Sequence, residues 1–325
     1  FRSAWSRDEG QRLAEHFARR KARGFVRECH GDLHLGNIAW VDGAPLIFDG
    51  IEFNPGLRCI DVISEVAFLG MDLMHRGREA LAWRFLNRYL EHTGDYAGLA
   101  ALPYYLAYRA LVRAKVAAIR ASQSGADFSE AADHLALAAR LARRPPPAML
   151  LMHGVSGSGK TWFSQSLLQG LGAVRVRSDV ERKRLFGLDA LADSRAACVN
   201  IYDREAGERT LARLLDLAET LLDAGFRVIV DATFIRRDWR DPFLALASRL
   251  DVPCFILALG APVQVLQDRV RARQAAGADA SEADIDVLGA QIEATEPFSA
   301  TELPHVIHPD ADPGQALKQL TPLLP

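Results

Sequence analysis

The chain has 325 residues, 49% of them apolar and 25% charged, with a formal net charge of −2. A single hydrophobic core rarely grows to that size, so two domains are expected. The near-neutral charge argues against a nucleic-acid partner. Nor is a membrane span expected, because the longest apolar stretch, around Ala97 to Ile119, is broken by Arg109, Arg113 and Lys115. Cys29, Cys59, Cys198 and Cys254 lie far apart without metal-ligand spacing, which suits a reducing cytoplasm better than a disulfide framework. Phe1 opens no signal-peptide layout and reads as the start of a piece cut from something longer.

Helical periodicity covers Gly10 to Arg23, Arg78 to Glu91, Leu99 to Ala121 and Ser129 to Leu141. Between the first two lies a hairpin, Asn37 to Trp40 and Pro45 to Phe48, turned by Asp42-Gly43. Just before it, His30-Gly31-Asp32-Leu33-His34-Leu35-Gly36-Asn37 has the spacing H-x-D-x-x-x-x-N. In kinase-fold phosphotransferases an Asp so placed accepts the hydroxyl proton, and the Asn five residues on binds Mg²⁺. Asp49, closing Ile47-Phe48-Asp49 after the hairpin, supplies the further acid that grips a metal. The competing reading makes these two capping acids and a turn Asn.

These residues resemble the aminoglycoside phosphotransferase family from Phe25 to about Leu73, with a looser match in the helices that follow. The resemblance implies a mostly helical kinase-like C-lobe with His30, Asp32, Asn37 and Asp49 in its site. It also implies that Asp61 is a buried helix acid bracing the catalytic loop. His34 departs from the family pattern, and a surface or capping role suits it. Nothing before His30 resembles a glycine-rich loop, a strand lysine or a partner-helix glutamate. Either an N-lobe is missing or this half is degenerate, and ATP should bind poorly through it.

A seam follows at Arg143-Arg144-Pro145-Pro146-Pro147, where three prolines end any helix and favour extended geometry. It divides a domain at 1–144 from one at 148–325, with 145–147 as linker. Beyond it, apolar runs at Ala148 to Met152, Val174 to Val176, Arg227 to Val230 and Pro253 to Leu259 read as strands. They alternate with helical segments at Lys160 to Gln169, Glu205 to Ala224, Asp238 to Arg249, Val263 to Ala275 and Glu282 to Ala294. That alternation predicts an α/β fold with a parallel sheet.

The run Gly154-Val155-Ser156-Gly157-Ser158-Gly159-Lys160-Thr161 satisfies G-x-x-x-x-G-K-[ST] between a strand and a helix. Its backbone would wrap phosphate, Lys160 would reach the β- and γ-phosphates of ATP, and the Thr161 hydroxyl would hold Mg²⁺. Asp179 follows the second strand, where it could accept the proton of an attacking hydroxyl, or else cap the next helix, as could Ser178. Asp231 ends the third strand, either near the metal and substrate or as a turn former. Arg269 and Arg273 share a helix face that could clamp phosphate or simply meet solvent. The Arg182-Lys183-Arg184 cluster is read as a possible anion site or as solvated surface.

With R-S-D-V-E-R-K-R-L-F-G, V-I-V-D-A-T-F and D-R-V-R-A-R, this half resembles the P-loop kinases of the adenylate-kinase-like group. The branch includes predicted AAA-type small-molecule kinases, polynucleotide 5′-kinases, zeta toxins and chloramphenicol phosphotransferase. The resemblance implies a five-stranded parallel sheet, Asp179 activating substrate, Arg182 near substrate, and Arg269 and Arg273 in a closing lid. The expected activity is ATP- and Mg²⁺-dependent phosphoryl transfer to a small hydroxyl compound in the cytoplasm. The alternatives are a regulatory ATPase that switches the first half, and a first half that only binds a ligand.

Overall fold

The first residues do not form one helix. In the computed structural model, which describes residues 2–143, 145–194, 200–276, 279–309 and 312–324, helices α1 (Arg2–Arg12) and α2 (Ala14–Ala22) break at the buried Leu13. Arg144, the expected end of the first domain, and Cys198 lie outside the described residues. Strand β1 (Val26–Glu28) follows, then the hairpin β2 (Ile38–Val41) and β3 (Ala44–Ile47). Asp42 and Gly43 both have positive φ (49° and 80°), as a two-residue Asp-Gly turn requires. Next come α3 (Pro55–Arg58) and β4 (Cys59–Asp61), which pairs antiparallel with β1.

Helix α4 (Val62–His75) went unread in the sequence, because it is apolar around nearly its whole circumference and shows no stripe. Its residues from Ile63 to Met74 are almost all buried. Helices α5 (Glu79–Thr93), α6 (Leu102–Ser124) and α7 (Ser129–Leu141) follow.

Asp61 corrects an expectation. It caps α4 by accepting the Ile63 N–H at 3.0 Å, and it receives Arg20 Nε at 2.7 Å, while Arg20 Nη1 reaches Asp95 at 2.7 Å. It anchors α2 and does not touch the loop at His30 to Asn37.

The chain divides into two compact units, residues 1–86 with 95–144, and residues 87–94 with 145–325. In the second unit β5 (Ala148–His153), α8 (Lys160–Leu171), β6 (Val174–Arg177) and α9 (Ser178–Leu185) come first. Then follow α10 (Arg204–Asp223), β7 (Arg227–Asp231), α11 (Arg237–Arg249) and β8 (Cys254–Ala258). The unit ends with α12 (Val263–Ala276), α13 (Ile285–Glu293), β9 (Val306–Ile307) and α14 (Pro313–Leu320).

Its five strands form an all-parallel sheet in the order β6-β7-β5-β8-β9. Successive residues of β5 and β6 point to opposite faces and are nearly all buried, so both faces are covered. Two arginines sit in that buried β6. Arg175 pairs with Glu91 at 2.6 Å and Arg177 with Asp279 at 2.7 Å, and these acids make the positions tolerable. Across the described residues no helix is long and apolar enough to cross a membrane.

Candidate active site

Parallel strands bring their carboxyl ends to one edge, and the register sets Met152 and Arg177 beside Asp231 there. From that edge β5 runs into Gly154, whose φ is 143° and where a Cβ would stand 2.5 Å from the Leu259 carbonyl oxygen. At Gly157 (φ 82°) a Cβ would meet the Leu266 carbonyl oxygen at 2.7 Å. Only glycine fits either place, and α8 starts at Lys160 with its N–H groups toward the loop.

The Lys160 ammonium folds back onto this loop, donating to the carbonyls of Gly154 (2.7 Å) and Val155 (2.9 Å). Burial pushes its pKa down to about 8, against the pull of Asp231 and Asp179. The Ser156 N–H donates to Oε1 of Gln291 on α13 at 2.7 Å. Val155 packs on Leu266, Val270 and Leu288, and the Ser158 hydroxyl is buried without a partner.

The loop walls a cavity of about 310 Å³ into which Thr161, Asp179, Arg182, Asp231, Arg269 and Arg273 all reach. Asp179 is the second residue of α9, and no side chain caps that helix, so neither Asp179 nor Ser178 plays the capping part. Its carboxylate makes no hydrogen bond or ion pair with any described residue. Asp231 is a buried strand residue rather than a turn former, and it accepts from the Ser164 hydroxyl at 3.2 Å. Arg269 donates to the Gly157 carbonyl at 3.2 Å and Arg273 to the Ala283 carbonyl at 2.8 Å.

The run Arg182-Lys183-Arg184 is not solvated surface. Lys183 is buried against Glu282 at 2.9 Å, Arg184 pairs with Glu181, and Arg182 donates to the Ile201 carbonyl at 3.0 Å. Sequence reasoning missed Arg177, Asp279 and Gln291, which also line the cavity. The usable signal was V-R-V-R, a strand too buried to hold arginines without acids elsewhere.

In the first unit, side chains from α4 shape the loop around Asp32. Glu65 accepts the N–H groups of Gly31 (2.7 Å) and Leu33 (3.2 Å), and Asp72 accepts that of Leu35 (2.9 Å). Arg109 of α6 donates to the Gly31 carbonyl at 3.1 Å and lies over the Phe68 ring. Two acids seven apart on an apolar helix were the available clue.

Asn37 donates to the Asp32 backbone carbonyl (3.0 Å) and carboxylate (3.3 Å). His34 does cap: its Nδ1 accepts the Gly36 N–H at 3.0 Å, which leaves the proton on Nε2, 3.4 Å from Asp32 Oδ2. That contact is the main reason the Asp32 carboxyl sits below its usual range. His30 Nε2 is 2.8 Å from the Phe48 carbonyl oxygen. Asp49 is exposed with φ 62°, and the Phe48 N–H bonds the Asn37 carbonyl, which keeps the hairpin exit beside Asn37. Among the described residues no group of three or more His, Cys, Asp or Glu is placed to hold a metal.

Residues 149–298 match the family described as AAA domain. An uncharacterized protein of Mycobacterium tuberculosis is 34% identical over 272 residues, covering 82% of this chain and 54% of that protein. The chain thus spans about half the length of the curated relatives it matches. Among solved structures, a gluconokinase from Sinorhizobium meliloti 1021 is similar at 20% identity and a TM-score of 0.39, covering 56% of this chain and 95% of its own. The Mycobacterium tuberculosis APS kinase CysC, in complex with AMPPNP and APS, is similar at 19% identity and a TM-score of 0.40, covering 55% and 98%.

The cavity suits a nucleotide triphosphate with a divalent cation. Thr161 and the buried Asp231 are hard oxygen donors of the kind Mg²⁺ takes, and the loop offers backbone N–H groups and an ammonium to phosphate.

Proposed function

We propose that residues 148–325 act as an ATP-dependent kinase that transfers the γ-phosphoryl group to a hydroxyl of a small molecule. The observation that carries this reading is the Asp179 carboxylate, which has no hydrogen-bond or ion-pair partner among the described residues, sharing one cavity with the glycine loop and Lys160. A hydrolytic switch has no need of a free base beyond the phosphates, whereas a kinase does.

In the proposed reaction Lys160 and the loop N–H groups hold the β- and γ-phosphates, and Arg269 and Arg273 neutralise charge on the moving group. Asp179 takes the proton of the acceptor hydroxyl as its oxygen attacks the γ-phosphorus. The bond from that phosphorus to the β–γ bridging oxygen breaks, ADP leaves with the electron pair, and Asp179 later gives its proton to water. Thr161 and Asp231 would hold Mg²⁺, which when bound offsets the negative charge of the phosphates.

The first unit is proposed as a second, kinase-like ligand site. Asp32 would face the hydroxyl, and Asn37 with Asp49 would stand on the metal side. Without a glycine-rich loop or strand lysine before His30, residues 1–144 alone should not turn over ATP. The chain is read as two domains joined at 145–147 and working in the cytoplasm.

The test is ADP production across a panel of hydroxyl compounds. Release that depends on an acceptor and on Lys160 supports the kinase. Release at the same rate with no acceptor favours the regulatory ATPase.

A further inference from the structure

The second unit reaches back across the proline seam. Residues 87–94 belong to it, although they form the end of α5 and the turn after it and precede residues 145–147. Strand β6 stands at one end of the parallel sheet, and among the described residues no strand lies beyond it. The Asn87 amide takes that place: its Oδ1 accepts the Arg175 N–H at 2.7 Å, and its Nδ2 donates to the Ala173 carbonyl at 3.0 Å. Arg184 of α9 donates to the carbonyls of Leu90 (3.4 Å) and Glu91, acceptors that the last turn of a helix leaves open.

These anchors bring the Glu91 carboxylate to Arg175. Both side chains are buried, and Nη2 of Arg175 donates to Glu91 at 2.6 Å. Among the described residues Glu91 is the one acid paired with Arg175. From the other arm of the same guanidinium, Nη1 donates to the Thr161 carbonyl at 3.1 Å and to the Ser164 hydroxyl at 3.0 Å. Ser164 is buried and in turn donates to Asp231 at 3.2 Å. Arg175 thus touches, directly or through one hydroxyl, both residues whose oxygens suit Mg²⁺.

Resting on the kinase reading above, we propose that Glu91 is a positioning residue of the nucleotide site: by neutralising Arg175 it sets the Thr161 backbone and leaves the Asp231 carboxylate free for Mg²⁺. The kinase is then built from residues 87–94 as well as 148–325. Without the Glu91 charge the guanidinium is buried with no counter-ion, and the next acid on its path is Asp231, through Ser164. A cation drawn there competes with Mg²⁺ for the same carboxylate. Phosphate binding by Lys160 and the loop N–H groups does not pass through Arg175 and should persist.

The experiment uses the whole chain and calorimetry with AMPPNP, an ATP analogue that does not transfer its γ-phosphoryl group, in Mg²⁺ and in EDTA. The ratio of the two affinities is the gain that Mg²⁺ brings. Glu91→Gln should cut that gain about tenfold or more, the scale of one charge acting at close range inside a protein, and move the affinity in EDTA less than about threefold. Glu91→Asp keeps the charge and should recover part of the gain. In turnover, Glu91→Gln should raise the Mg²⁺ concentration for half-maximal ADP release much more than it lowers kcat.

Should Glu91→Gln fail to fold, Glu91→Gln combined with Arg175→Met decides, since the pair strands no charge. It too should lose most of the gain, because no guanidinium then holds the Thr161 carbonyl and the Ser164 hydroxyl. A full gain in either folded variant overturns the inference. So does an equal loss of affinity in EDTA and in Mg²⁺, which a merely structural role would give. Both results leave the kinase reading standing. Affinity in EDTA that Lys160→Ala leaves unchanged overturns the kinase reading itself.

Discussion

Asp32 and Asp179 are both candidate bases, and their surroundings are built in opposite ways. The loop around Asp32 is held by side chains arriving from far along the chain: Glu65, Asp72 and Arg109 take up its backbone groups, and His34 leans on the carboxylate. The loop beside Asp179 rests mainly on its own backbone, through glycines at φ values other residues avoid, with Gln291 and Arg269 each taking one of its backbone groups, and the Asp179 carboxylate has no hydrogen-bond partner among the described residues. A site built by side chains can be undone from a distance. One built by backbone depends on the few residues that form it.

The largest effect that would sharpen this contrast is at Lys160. Lys160→Ala should leave circular dichroism unchanged and weaken ATP binding roughly 10²–10⁴-fold, as expected for two charged hydrogen bonds of about 1.5–3 kcal/mol each. Calorimetry returning the affinity of the unaltered chain would remove the phosphate site from this loop.

Next in size is Asp179→Asn, which should slow acceptor-dependent turnover by roughly 10²–10⁴ at unchanged ATP affinity, the span for loss of a general base. Asp32→Asn should leave that turnover alone. If both variants fall equally in steady-state assays, the two acids serve one reaction and the contrast breaks.

In the first unit Glu65→Ala strips the acceptor from two loop N–H groups. It should cost roughly 2–4 kcal/mol in denaturant unfolding, since each buried donor left unmet costs about 1–3 kcal/mol. ATP binding at Lys160 should persist. An unfolding curve that does not move would show the loop to be self-supporting.

A smaller effect comes from pH. Lys160 falls from an ordinary 10.5 to about 8 in the folded chain. Between those values the unfolded chain holds a proton that the folded chain lacks, so stability without nucleotide rises with pH across that window. Phosphate beside the ammonium restores its charge. ATP binding should therefore take up a proton just above pH 8, and affinity should decline there by at most about tenfold per pH unit. Titration calorimetry in buffers of different ionisation heat reads the uptake, and a buffer-independent enthalpy at pH 8.5 contradicts the placement of Lys160.

Smallest is His34→Ala. The Asp32 carboxyl should titrate at higher pH by carbon-detected NMR, because its main support in the charged form is gone. No movement would mean that Arg113 and Asn37 hold the carboxylate without His34.

The sequence by itself determined whatever a few neighbouring residues can encode. The Asp42-Gly43 turn, the four longer parallel strands and the glycine loop between β5 and α8 were all legible, because φ preference, an unbroken apolar run and a cap of glycines act over short spans. Helix α4 was not legible, since a helix buried on every side has no stripe, and β9 is a two-residue strand that exists only because β8 lies beside it.

The same limit applied to the site. That Asp179 stands in the cavity without capping α9, that Asp61 anchors Arg20 and not the Asp32 loop, and that Arg177 and Lys183 are buried against Asp279 and Glu282 were decided only by the tertiary structure. Each of these depends on a charged group finding, or failing to find, a partner about forty to a hundred residues away. The free energy of a buried charge is set by that partner and not by the neighbours in sequence.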